Sequence, residues 1–273
     1  MHPILLKIGP FVIYTYGFFV ALGFLFGILL GKYEAKSLGQ DPEKISDLCF
    51  YILISAIIGA RLFYILTTPG TFLADPLEIF KIWNGGLVFY GGFIGALTAT
   101  IIYLNHHKMP LWQTTDILTP SLALGHFLGR LGCFFAGCCY GKACDLPWAI
   151  TFTHAESLAR KNIPLHPTQI YSSLANLIIF ALFWYFRRRK KFDGQLFWGY
   201  VFVYAIVRSV IELFRGDFRG SFFMETMSTS QVIGSILCIT AVLMLFILGK
   251  QSRKQNLKPI IKPNLKSDLK PNK

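Results

Sequence analysis

Three arginines, Arg61, Arg130 and Arg208, and one glutamate, Glu212, stand within stretches that are otherwise apolar. A charge at the centre of a bilayer costs ~2.5–3.5 kcal/mol on insertion scales, so each of these residues needs a compensating task. A guanidinium is a planar fork of N–H donors that matches two phosphate oxygens in geometry and charge. Arginines facing a water-accessible cavity at headgroup depth therefore point to the handling of a phospholipid phosphate. Plainer readings exist. An arginine near a helix end snorkels to the interface, and Arg208 and Glu212, four apart, pair along one helix face. Gly129 and Gly132 flank Arg130 and let other helices approach it closely.

Other polar and glycine-rich pieces accompany these charges: Tyr14 and Tyr16, Trp83-Asn84-Gly85-Gly86, Tyr90, and His166-Pro167-Thr168-Gln169. Taken one at a time, the tyrosines and Trp83 read as interfacial anchors. His166 reads as part of a helix entry, and Gly85, Gly86, Gly91, Gly92 and Gly95 as a close-packing face. Four of the six cysteines, Cys133, Cys138, Cys139 and Cys144, form a C-x4-C-C-x4-C cluster. That spacing lacks the C-x2-C pairs of zinc sites, and adjacent cysteines seldom share one metal. A disulfide from Cys144 to Cys138 or Cys139, a catalytic thiol, and small residues at a tight helix end all stay open, with zinc as the lesser alternative. Cys49 and Cys238, in apolar stretches, read as small buried hydrophobes.

The elements that must position these residues are transmembrane helices. The chain has 273 residues, 53% hydrophobic and 15% charged, with a mean hydropathy of +0.50; soluble proteins carry about 25% charged residues. Apolar runs long enough to span a bilayer occur near 12–30, 48–66, 87–104, 117–136, 170–186, 195–214 and 231–249. The expected fold is an all-α integral membrane protein of about seven transmembrane helices. The first run is too long for a cleaved signal peptide and lacks a small-residue cleavage site. Residues 1–249 read as a single seven-helix domain, and the Lys-, Asn- and Pro-rich stretch 250–273 as a basic, disordered cytoplasmic tail.

Seventeen of the 27 Lys and Arg fall on the side of the loops at 32–44, 108 and 187–191 and of the tail, against seven on the other side. The positive-inside rule then puts the C-terminus in the cytoplasm and the N-terminus outside. With that topology Arg61, Arg130, Arg208 and Glu212 all fall in the outer half of the membrane, together with Tyr16, Tyr90 and His166. This convergence at one depth is the strongest physical pointer to a site. It speaks against a transporter or channel, which needs polar residues open to both sides. The basic residues behind the net charge of +13 lie in short runs between apolar segments and in the tail, where they meet anionic headgroups, which argues against nucleic acid as the partner.

In order along the chain, Ile8-Gly9-Pro10 with Tyr16-Gly17, Trp83-Asn84-Gly85-Gly86-Leu87 with Tyr90-Gly91-Gly92, Gly129-Arg130-Leu131-Gly132 through Gly141, His166-Pro167-Thr168-Gln169-Ile170-Tyr171, and Arg208–Glu212 with Arg215-Gly216-Asp217 resemble the bacterial prolipoprotein diacylglyceryl transferases across residues 8–249. The resemblance implies transfer of a diacylglyceryl group from phosphatidylglycerol to the lipobox cysteine of a prolipoprotein signal peptide, in the bacterial inner membrane. Glycerol phosphate leaves, and neither a metal nor an organic cofactor is needed.

The resemblance implies Arg130, Arg208, Tyr90 and Glu212 as catalytic residues. It implies Arg130, Tyr16, Gly91, Gly92, His166, Gln169 and Tyr171 as the phosphatidylglycerol site. The chain departs from the family at Tyr90, where many members carry His, at Cys133, where Asn is usual, at Cys138-Cys139, and at Ser172, where Glu is common. The base is therefore open between Tyr90, His166, Glu212 and none, the substrate thiol then being acidified by the arginines. Two rival readings stand beside this one: a homologous enzyme with a different acceptor, and a non-catalytic lipid-binding protein.

Overall fold

In the computed structural model, the described residues are 2–9, 11–70, 75–81, 85–217, 221–222 and 227–261. Among them are seven α-helices: α1 Thr15–Ser37, α2 Pro42–Thr67, α3 Phe89–His106, α4 Leu111–Ala136, α5 Thr168–Phe186, α6 Gln195–Glu212 and α7 Thr229–Ile261. Each overlaps one of the seven apolar runs. Four segments, Thr15–Ser37, Pro42–Thr67, Thr168–Arg189 and Thr229–Lys254, are long and apolar enough to cross a membrane on length and composition. Of the other three, α3 opens on a Gly-Gly pair, α4 carries Pro120, His126 and Arg130, and α6 carries Arg208 and Glu212. Helix α7 runs on to Ile261, past the expected boundary at 249.

The chain divides into two compact units, one of residues 1–27 and 115–273 and one of residues 28–114. In the first, strands β1 (Ile4–Ile8) and β2 (Phe11–Tyr14) form an antiparallel hairpin. Its end is tied to the start of α1, where the Thr15 hydroxyl donates to the His2 carbonyl at 2.6 Å. The first half of α1 lies along α4: Phe19 stacks on Phe135 with ring centroids 5.3 Å apart, and a Cβ on Gly132 would meet Tyr16 and Phe19 at 3.2 Å. Helix α6 packs between α5 and α7.

The amino end of α6 is capped from α4. The Asp116 carboxylate accepts the backbone N–H of Gly194 at 2.9 Å and of Phe197 at 3.0 Å, with Lys190 at 3.0 Å. Two short hairpin-like pairs complete the unit, β3 (Ile150–Thr151) with β4 (Pro164–Leu165), and β5 (Ser221–Phe222) with β6 (Met227–Ser228).

In the second unit α2 and α3 pack backbone to backbone. Added Cβ atoms on Gly59, Gly91 and Gly95 would clash with the carbonyl oxygens of Gly91, Gly59 and Ser55, the small-residue contact by which helices associate in lipid. Helix α2 begins at Asp41, whose carboxylate accepts the Glu43 N–H at 3.0 Å, followed by Pro42 at the first helical position.

Candidate active site

The first unit gathers three guanidinium groups. Arg208, on α6, is ion-paired to Glu212 one turn on, the helix spacing that sequence favours. Arg215, just past α6, reaches the same carboxylate at 3.7 Å and binds Asp217 in a two-pronged contact, with Nε to Oδ1 at 2.9 Å and Nη2 to Oδ2 at 2.6 Å. Arg130, on α4, has the Tyr204 phenol of α6 as an electrostatic neighbour, and its charge is felt at Arg208. Arg208 and Arg215 thus meet two carboxylates, Glu212 and Asp217, so that among the described residues of this cluster Arg130 has no carboxylate against it and its charge is left for an anion. Beside Arg130 the Tyr200 hydroxyl and His126 Nδ1 are 2.7 Å apart.

Helix α4 stops at Gly137, whose φ of 76° only glycine adopts without strain. A Cβ there would also strike the Ser157 hydroxyl. The chain then turns through Cys138 and Cys139, the latter at φ 62°. The start of α5 clamps this turn: Gln169 Nε2 donates to the Cys138 carbonyl at 2.8 Å, and the Thr168 hydroxyl to the Cys139 carbonyl at 2.8 Å. On its far side Gly141 and His166 pair through their backbones, and Gly216 donates to the Tyr140 carbonyl at 3.1 Å. A Cβ on Gly141 or Gly216 would run into neighbouring backbone, so these glycines permit the close approach.

The turn brings the sulfurs of Cys133, Cys138 and Cys139 within 4.8 Å of one another. The left-handed conformation at Cys139 accompanies the approach of both adjacent sulfurs to Cys133. Hydrogen bonds from the Cys133 and Cys138 thiols, and then the Arg130 and Arg215 charges, hold the Cys139 thiol well below its ordinary pKa despite its burial. None of the six cysteines forms a disulfide, Cys144 included.

The remaining expected residues divide by role. Tyr16 has Cys133, Cys138, Cys139 and Arg130 as its electrostatic neighbours. His166 Nδ1 lies 3.3 Å from the Tyr171 hydroxyl, which accepts from Trp148 Nε1 at 2.8 Å. Gln169 is 1% exposed; its amide nitrogen serves the cysteine turn, while its Oε1 is buried without a partner. Tyr204 and Arg215, both central here, were not expected. The first is one of many aromatics in an apolar run, and the second stands in a block that carries the resemblance but was given no role of its own.

In the second unit Arg61, 6% exposed, is a structural clamp rather than a snorkelling cation. Its Nε donates to the Ile79 carbonyl at 3.1 Å, and its Nη1 to those of Gly85 at 2.8 Å and Gly86 at 3.2 Å; Nη2 donates to that of Glu78. Gly91 and Gly92 pack on α2, the latter with its Cβ position 3.1 Å from the Ala56 carbonyl. Tyr90, at the start of α3, is exposed beside the Phe89 ring. Trp83 and Asn84 lie outside the described residues.

Residues 3–247 match the family model described as prolipoprotein diacylglyceryl transferase. A phosphatidylglycerol–prolipoprotein diacylglyceryl transferase of Clostridium tetani is 37% identical over 243 residues, covering 89% of this chain and 96% of the relative. Phosphatidylglycerol–prolipoprotein diacylglyceryl transferase 2 of Clostridium perfringens is 34% identical over 256 residues, covering 93% and 98%. The corresponding protein of Synechococcus elongatus is 34% identical over 269 residues, covering 95% and 92%.

Proposed function

This chain belongs to the prolipoprotein diacylglyceryl transferase family, and on that premise we propose how its residues carry out the reaction. The enzyme transfers the diacylglyceryl group of phosphatidylglycerol to the lipobox cysteine of a prolipoprotein signal peptide. The substrate sulfur attacks the glyceryl carbon, a C–S bond forms, the C–O bond to phosphate breaks, and glycerol phosphate leaves. The thiol, with an ordinary pKa of about 8.5, must lose its proton, and the departing phosphate must find cations.

The observation that best supports this reading is the cluster of Arg130, Arg208 and Arg215 with one charge in surplus over Glu212 and Asp217. Arg130 grips the headgroup phosphate and Arg208 stabilises the leaving group. Glu212 orients Arg208 and Arg215. The substrate thiol is acidified by the arginines themselves. Tyr90 hydrogen-bonds the headgroup, and Tyr16, Gly91, Gly92, His166, Gln169 and Tyr171 complete the lipid site.

The chain crosses the bacterial inner membrane seven times, N-terminus outside. Residues 1–249 form the transmembrane domain and residues 250–273 a basic cytoplasmic tail beside anionic lipid. Reporter fusions after Gly39, Lys108 and Lys191 should read cytoplasmic, and a fusion after Arg160 external; the reverse pattern overturns the topology. The reaction is tested by mass gain on a lipobox peptide in phosphatidylglycerol vesicles, with wild type beside Arg130→Ala. An adduct that vanishes in the variant is expected. No adduct from folded wild-type protein would favour a different acceptor.

A further inference from the structure

The Cys133, Cys138 and Cys139 sulfurs are given no role in the proposed transfer reaction, yet their arrangement is specific. All three lie within 4.8 Å of one another. A thiophilic ion at the centre of a sulfur triangle, with metal–sulfur bonds of about 2.3 Å, needs sulfurs about 4.0 Å apart. A contraction of each side by less than about 1 Å, within reach of χ1 adjustments, closes the site.

The scaffold is rigid where that matters. Gly137 and Cys139 take φ values of 76° and 62°. The intervening carbonyls are fixed by Gln169 and Thr168 at 2.8 Å each, so the ligands are oriented without further loss of chain entropy. Cys133 is 9% exposed and the other two are half-buried, which shields an ion while leaving it a route in.

Charge and ligand number select the ion. Three thiolates around a monovalent ion carry two net negative charges, and around a divalent ion one. Arg130 and Arg215 are electrostatic neighbours of Cys139, which lowers the cost of an anionic thiolate complex there. Among the described residues no fourth His, Cys, Asp or Glu joins the group. Zinc structural sites take four protein ligands, whereas soft thiolate sets favour Cu(I). We propose that Cys133, Cys138 and Cys139 form a three-coordinate binding site for a soft thiophilic cation of the Cu(I) type.

The test uses full-length protein in nanodiscs, reduced and stripped of metal, carrying Cys49→Ser, Cys144→Ser and Cys238→Ser so that only the triad remains. Cu(I) is titrated against a chromogenic Cu(I) chelator, and the loaded protein is examined by X-ray absorption. The expected result is one ion per chain bound by three sulfurs at about 2.3 Å, with affinity at least 100-fold weaker after Cys139→Ser. Equal affinity in that variant, two-sulfur coordination, or preference for Zn2+ with an added oxygen ligand would overturn the site.

A second measurement does not depend on the variants folding. In the unmutated protein, Cu(I) should protect Cys133, Cys138 and Cys139 from alkylation and leave Cys49, Cys144 and Cys238 unchanged. Uniform protection, or isolation of the triad already oxidised to a disulfide, counts against it. Both measurements read binding alone, so their failure leaves the transferase reading standing.

Discussion

Replacing Arg130 by Lys tests whether the site needs a guanidinium fork or only a positive charge. In the structure Arg130 has the Tyr204 phenol as an electrostatic neighbour, and the proposed grip places its fork on the phosphate. A lysine ammonium keeps the charge but cannot offer two parallel, rigidly spaced bonds. Loss of one charge-assisted hydrogen bond costs about 1.5–3 kcal/mol, roughly a 10- to 150-fold fall in rate. Arg130→Ala removes the charge as well and should lose about 100- to 1,000-fold or more.

Tyr204→Phe loses only the group that aims the fork, worth about 1 kcal/mol or about fivefold. In the Arg130→Lys background it should cost almost nothing more, because the two residues act as a unit. The assay is the initial rate of diacylglyceryl transfer to a lipobox peptide across a range of phosphatidylglycerol contents. An Arg130→Lys enzyme within a factor of two of wild type would refute the fork argument and favour a lipid-binding role satisfied by a point charge. Full additivity of Tyr204→Phe would refute the positioning.

Three further outcomes are expected. Arg61→Met should lower the thermal transition, by about 3 kcal/mol or more in stability, since four carbonyls at Glu78, Ile79, Gly85 and Gly86 lose a buried donor; an unchanged transition would remove the clamp. Gly95→Leu should abolish accumulation of folded protein, because its side chain has no room against the Ser55 carbonyl, whereas Leu97→Ala, exposed on the same helix, should leave folding intact. Tyr90→Phe should slow transfer about tenfold through loss of one hydrogen bond to the headgroup, and no change in rate would end that assignment.

The helices were legible in the sequence because lipid leaves so few options: each apolar run holds one helix, and 170–186 lies within Thr168–Phe186. Arginine roles were less legible. The partners of Arg61 lie 17 to 25 residues along the chain, at no helical period, and they are backbone carbonyls that any residue supplies. The Arg208–Glu212 pair was readable because it is local. The role of Arg215 was not, since it depends on a turn after α6 that brings a loop residue back to the helix. Tyr204 could not be picked out from the other aromatics of its run, because it meets Arg130 across 74 positions of sequence. The approach of the three sulfurs was not legible from spacing, for the positive φ of Cys139 leaves no mark in composition.

Glu212 is the residue on which charge balance and acid–base chemistry give opposite answers. Two like charges about 6 Å apart repel by about 3 kcal/mol at an effective dielectric of about 20, so three guanidiniums could not stay clustered in a lipid-facing site unaided. Glu212 contacts Arg208 and Arg215, and Asp217 contacts Arg215. Together the carboxylates reduce the surplus to one, which matches the single charge of a phosphodiester. Glu212→Gln raises that surplus to two. The variant should hold phosphatidylglycerol about tenfold more tightly, seen as a lower KM, and release the more highly charged glycerol phosphate more slowly. Its kcat should therefore fall no more than about tenfold, with product inhibition increased. A kcat reduced about a thousandfold at unchanged KM is the signature of a lost general base. That result would return Glu212 to the centre of the chemistry, with the arginines serving it rather than the reverse.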